Sequence, residues 1–277
     1  MEVYEPAYTY LLDGVDVREW TYLFDNLTHS ELSVRSQQLE IPGRSGNLHV
    51  PCKWTVLDAP VLELGLAPAA QSAGELEESL NRLQAILLDP NLRVVRCRPF
   101  GDESRPQLTV TRGELVNAKA TKEDAMAGRW GRWNLKIRLP EVAWRDLKPK
   151  IVHVLPGENV RVNGFAGTLP VDDLRIHVRG PLTSIGVTDL VTSTGVTWVG
   201  SLGDKEILTI DMGMLSASVT ADEGEVRSVT GGLDYPTSGR LVLGLDPKTR
   251  KQRVCLTLTG NEVGKTDVSL EGRRAWM

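Results

Sequence analysis

No uninterrupted apolar run in this 277-residue chain approaches the roughly 20 residues that a membrane-spanning helix requires, and Met1–Pro6 carries no basic stretch leading into an apolar segment. The sequence therefore reads as one made and folded in a cytosol. Cysteine is scarce and odd in number: Cys52, Cys97 and Cys255 lie far apart, which fits small buried thiols in a reducing compartment better than a disulfide framework or a metal knuckle. A dominant charge is lacking too. The 32 basic and 36 acidic residues are scattered, the net charge is −4, and no basic run marks a dedicated nucleic-acid binder. Internal repeats and low-complexity tracts are missing, which argues against a solenoid or fibrous shaft.

Legible catalytic motifs are missing as well. Gly260-Asn261-Glu262-Val263-Gly264-Lys265-Thr266 ends like a phosphate loop but has one residue too few between its glycines and no helix to follow, so it is expected to be a hairpin turn. Gly200-Ser201-Leu202-Gly203 lacks the spacing of a nucleophile elbow and reads as a turn. His29, His49, His153 and His177 are isolated from one another and from cysteine, which gives no metal-ligand spacing. Asp172-Asp173 and Asp222-Glu223-Gly224-Glu225 lack the alternation of a calcium loop, and Asp102-Glu103 are adjacent, as solvated carboxylates often are. The reading assigns no catalytic residue, no cofactor and no metal, and the chain is not expected to be an enzyme.

What is present is mainly β. Tyr8–Leu12 and Val15–Val17 flank Asp13-Gly14, a pair that supplies the positive φ angles of a two-residue hairpin. In the loop Ile41–Leu48, Gly43 and Gly46 shape a turn with Arg44 at its tip. Strands are expected at Val50–Val56 and Val61–Leu66. Then the period changes: Ser72 and Glu75 form a Ser-x-x-Glu capping box, and Leu76, Leu80, Leu83 and Leu87 make an apolar stripe, which predicts one helix over about 73–88. Strands resume at Leu92–Cys97, Gln107–Asn117 and Arg132–Leu139, with a loop over Thr121–Gly131, giving an α+β module in which the helix covers a sheet face. Proline and glycine punctuate Pro140–Gly167, and a domain boundary is placed there, between 1–150 and 157–277.

In the second half, short β-branched segments are separated by glycine or aspartate turns. They lie at Leu174–Val178, Ser184–Asp189, Val196–Val199, Glu206–Ile210, Ser216–Thr220, Val226–Val229, Arg240–Gly244, Arg253–Thr259 and Thr266–Leu270. That pattern predicts an antiparallel sandwich or barrel. Trp130, beside Arg129 and Arg132, and Trp198 are candidate glycan platforms; the alternative is that such aromatics supply core area, as expected for Trp133.

The opening hairpin, the Pro42–Gly46 loop, the leucine-striped helix and Ile137–Trp144 together resemble the N-terminal half of the distal tail proteins of long-tailed, non-contractile bacteriophages. Val162–Pro170, the strand ending Val178-Arg179-Gly180-Pro181, and Leu208–Asp211 are similar to that family's C-terminal domain. The resemblance implies a galectin-like β-sandwich after a ring-forming domain, and a ring, commonly a hexamer, joining the tail tube to the tip or baseplate with a channel for DNA. It implies as partners further copies of the chain, the tail tube protein, the tape measure protein, and tail-tip hub or receptor-binding proteins, within a virion assembled in the host cytoplasm. Gly43, Arg44 and Gly46 become candidate interface or loop-anchoring residues. The other class of function is a carbohydrate-binding module or cell-surface adhesion accessory, using the second half to grip a host-surface glycan.

Overall fold

The computed structural model describes residues 8–19, 21–25, 38–39, 48–49, 57–68, 70–98, 107–122, 131–222, 224–260 and 266–277. The chain divides into two compact units, Met1–Arg145 and Asp146–Met277.

The first unit opens with β1 (Thr9–Leu12) and β2 (Val15–Asp16), which pair antiparallel. Both residues of the turn between them have positive φ, Asp13 at 48° and Gly14 at 83°, as the hairpin motif demands. Asp13 does more than turn the chain: its Oδ1 accepts from the Arg93 amide at 2.7 Å. Then come β3 (Thr21–Asp25), β4 (Gln38–Leu39), β5 (Leu48–His49) and β6 (Val61–Pro68).

Helix α1 (Ala73–Leu87) begins where the capping box predicts. Ser72 Oγ accepts from the Glu75 amide at 3.2 Å, and the Glu75 carboxylate reaches back to the Gln71 amide at 2.8 Å. Leu76, Leu80, Leu83 and Leu87 are buried and the helix lies against β6. Replacing Ser72 with alanine removes a cap and is expected to cost about 1 kcal/mol, read as faster hydrogen exchange through the first turn of α1.

The remaining strands of this unit are β7 (Arg93–Arg98), β8 (Gln107–Arg112), β9 (Glu114–Lys122) and β10 (Gly131–Arg138), and β11 (Trp144–Asp146) carries the chain across the division. One sheet contains β2-β1-β7-β8 in that order; a second is β3-β6-β10-β9. Gln107–Asn117 is therefore two strands in two sheets. The break is Gly113, whose missing side chain is a packing requirement: a Cβ there would stand 2.8 Å from both Ile137 and Val94, one from each sheet. The predicted strand at Val50–Val56 and the core of the predicted loop, 123–130, lie outside the described residues.

The second unit contains β12 (Lys150–Val154), β13 (Gly157–Val162), β14 (Arg175–Arg179), β15 (Leu182–Asp189), β16 (Gly195–Leu202) and β17 (Ile207–Asp211). After these follow β18 (Ser216–Thr220), β19 (Val226–Ser228), β20 (Leu233–Asp234), β21 (Gln252–Thr259), β22 (Asp267–Gly272) and β23 (Ala275–Trp276). Two antiparallel sheets, β12-β22-β14-β17-β18-β19 and β13-β21-β15-β16-β20, send alternate residues into one core. Ile176, Leu208 and Leu270 enter it from one side and Val187, Trp198 and Leu256 from the other. The stretch read as a boundary thus holds three strands, β11, β12 and β13.

Three further expectations are corrected here. Arg240–Gly244 is not a strand but makes only isolated bridges, Val171 with Leu243 and Gly195 with Arg240. It is nonetheless buried at Leu241 and Leu243, because side chains satisfy its backbone: Thr194 Oγ1 accepts from the Val242 amide at 2.9 Å, and the Thr192 and Thr194 hydroxyls lie 3.0 and 3.2 Å from the Val242 carbonyl. Gly260–Thr266 is not a hairpin, since β21 and β22 belong to different sheets; residues 261–265 lie outside the described set. Cys97 and Cys255 are half-buried free thiols rather than fully buried ones, because each stands near the outward end of a strand's alternation, and Cys52 lies outside the described residues.

The C-terminal residues close on their own unit. The Ala275 carbonyl accepts from the amides of Thr168 and Leu169 at 2.9 and 3.1 Å. Arg273 pairs with Asp173 at 2.9 Å, and Asp146 receives Arg274 Nε at 2.6 Å and Trp276 Nε1 at 2.9 Å.

Candidate assembly interface

The four-stranded sheet of the first unit has two faces of opposite character. Its register aligns Leu62 with Ile137, Leu64 with Leu135 and Leu66 with Trp133, all buried. The alternate residues Glu63, Asn134, Lys136 and Arg138 are exposed, and Glu114, Asn117 and Lys119 continue that exposure onto β9. Lys136 forms an ion pair with Glu63 across β10 and β6, so adjacent charges on this face are compensated.

Among the described residues the sheet ends at β3 on one side and β9 on the other, leaving two edges of unpaired backbone groups. Strand β9 is long enough to template another strand, but it is bulged. Its pairing with β10 jumps from Lys136–Asn117 to Ile137–Leu115, which leaves Val116 as the extra residue, 47% exposed. Neither the edge nor the bulge was readable from sequence, because alternation marks which residues face the core and not which strand has no neighbour.

Behind the other sheet, Arg96 is buried with its guanidinium 4.5 Å from the Trp144 ring centre and 4.9 Å from that of Tyr8. Burial lowers its basicity and pushes the neighbouring Tyr10 phenol well above its usual range. This is a rigid corner of the unit; it also gives Trp144, quoted above only as part of a motif, a packing role.

The residues singled out from sequence fare differently. Gly43, Arg44 and Gly46 lie outside the described residues, as do Trp130, Asp102, Glu103 and the side chains of His29 and His49. Trp133 is buried, as expected. Trp198 is a core residue rather than a glycan platform: it is 1% exposed, its Nε1 donates to the Val229 carbonyl at 3.2 Å, and Gly200 and Gly232 press on the ring. Asp172 and Asp173 face Arg240 and Arg273, which occupy them with cationic partners at 3.6 and 2.9 Å. His153 and His177 each meet one carboxylate, Asp267 at 3.1 Å and Glu271 at 2.8 Å. No three His, Cys, Asp or Glu side chains among the described residues converge as a metal site. Asp189 is fully buried, and its Oδ2 accepts from the Val191 amide at 3.0 Å and from the amide and hydroxyl of Thr192 at 2.6 and 2.8 Å. Burial pushes that carboxyl up against the pull of these donors, and the arrangement serves to hold the turn after β15.

No family model and no curated protein matches the chain. Among solved structures it is similar to the Dit protein of phage SPP1, a paradigm of the hub adsorption apparatus in phages that infect Gram-positive hosts. The TM-score is 0.67 at 13% identity, over 98% of this chain and 99% of that one. It also matches a chain of the phage p2 baseplate in its activated conformation, at TM-score 0.42 and 11% identity over 96% and 98% of the two chains. The first of these likenesses, running end to end, shows that the chain has the Dit fold.

Proposed function

We propose that this chain is a non-enzymatic structural protein of a long-tailed bacteriophage, forming a hexameric ring at the distal end of the tail tube. The observation that carries this reading is the end-to-end match of both units to SPP1 Dit. The two-edged sheet of the first unit supports it physically. A ring needs contacts of head-to-tail type that close, and a sheet with one open edge at β3 and another at β9 offers such a pair of surfaces on every copy. In this reading the β9 side of one protomer meets the β3 side of the next, the leucine-rich face stays in the core, and the compensated face of Glu63, Lys136, Asn134 and Lys119 lines the channel. A lining of mixed charge lets DNA pass without the tight, salt-sensitive grip of a basic groove.

Gly43, Arg44 and Gly46 are proposed to sit at the joint between copies. The tail tube and tape measure proteins would dock on one side of the ring and the hub or receptor-binding components on the other, in a virion assembled in the host cytoplasm. Light scattering on the purified chain, with negative-stain images, tests the reading: the expected result is a hexamer-sized particle with a central hole, and Arg44→Ala is expected to shift it toward monomer. A chain that stays monomeric at high concentration, alone and with tail partners, overturns it.

A further inference from the structure

The outward face of the six-stranded sheet ends at β12, and this edge differs from the others. Natural sheets guard their edges with bulges, prolines, charges or brevity. Among the described residues, β3, β9 and β13 each carry a register shift, and β19 and β20 have only three and two residues. Strand β12 pairs with β22 in unbroken register over its five residues, contains no proline and no carboxylate, and has a single lysine, Lys150, at its first position. Its alternate residues Ile151 and His153 point outward, and Leu155 follows at the same spacing. Ile151 is 61% and Leu155, just past the strand, 80% exposed.

Charge tells what belongs beside it. His153 Nδ1 lies 3.1 Å from Asp267 Oδ1, and that carboxylate remains 61% exposed on its side chain. Glu271, in register with Ile151, lies one strand inward, and Glu158 is exposed at the start of β13. Arg175 and Arg179, in register with Glu271 and Asp267 on the next strand, and His177 beside Glu271 compensate most of this face, and the carboxylate left open beside the aliphatic pair is Asp267.

We propose that β12 is a docking edge for an extended segment of a partner protein, which adds to the sheet as a seventh strand with apolar side chains opposite Ile151 and Leu155 and a basic side chain between them, opposite His153 and within reach of Asp267. Backbone hydrogen bonds along the edge supply the geometry, and side-chain alternation supplies the selection. The assignment does not depend on ring formation, which involves the first unit.

A fluorescently labelled synthetic peptide, Thr-Val-Thr-Arg-Thr-Val-Thr, titrated onto the full chain provides the test. Saturable binding is expected, with hydrogen exchange slowed at residues 150–154. Changing the peptide's arginine to glutamate is expected to weaken binding about tenfold, and placing proline at its inner threonines to abolish it. The double variant Ile151→Lys with Leu155→Lys is expected to bind about tenfold more weakly; both side chains are exposed, so an unchanged thermal melt confirms that the fold is intact. The proposal is overturned by no saturation up to about 1 mM peptide, by equal affinity for the double variant, or by protection that appears elsewhere. Self-association of the unmodified chain that disappears in the double variant also overturns it, because the occupant is then a second copy.

Discussion

Replacing Gly167 with alanine is expected to destabilise the second unit by about 3 kcal/mol. A Cβ at Gly167 would collide with the Ala275 carbonyl oxygen and stand 3.0 Å from the Ala275 nitrogen, and these are backbone atoms with no rotamer to escape into. The same carbonyl accepts the amides of Thr168 and Leu169, so any shift that relieves the clash stretches two hydrogen bonds. The comparison is Gly231→Ala, where nothing lies within 4 Å and the change is expected to stay within about 0.5 kcal/mol. Urea midpoints of the two variants check this: equal midpoints would mean that the C-terminal residues are not held against Gly167 in solution.

Substituting Trp198 with alanine is expected to cost roughly 3–5 kcal/mol, the range for deleting a large buried aromatic. The ring stands in the core of the sandwich, and its loss also removes one of the two donors to the Val229 carbonyl, leaving the Gly232 amide. Gly200 and Gly232, which have no side chains of their own to swing inward, lie against the ring, so the void cannot collapse easily. Thermal unfolding distinguishes this from the sugar-platform reading, which requires an unchanged melting temperature and a loss of polysaccharide retention alone.

The parts of the fold that sequence revealed are those where one local rule acts undisturbed. Ser72, Glu75 and four spaced leucines define a helix without help from the rest of the chain, and Asp13-Gly14 defines a turn. The failures occur where tertiary partners decide. Gly113 sits in an unbroken β-like run, and only the nearby Ile137 and Val94 explain why the chain must change sheets there. Arg240–Gly244 has the composition of a strand, but the hydroxyls of Thr192 and Thr194 take the place of a neighbouring strand at Val242. The candidate interface was hidden for a related reason: edges and bulges are properties of strand order, and strand order is set by pairings far apart in sequence, as when β9 and β3 end on opposite sides of one sheet. The resemblance through short glycine motifs carried the overall fold, although Gly43, Arg44 and Gly46 themselves await a test.

The carboxylate of Asp146 gathers both Arg274 and Trp276, so the two ends of the second unit's chain are clasped to each other. The clasp is a pin at one end of the sandwich. The turn at 203–206 lies at the far ends of the strands, since Ile207 is in register with Arg179 while Asp211, toward the pin, is in register with Arg175. Insertions or exchanges in that turn leave the pin and its three side chains untouched, so the unit can change its surface at that end without loosening its own closure.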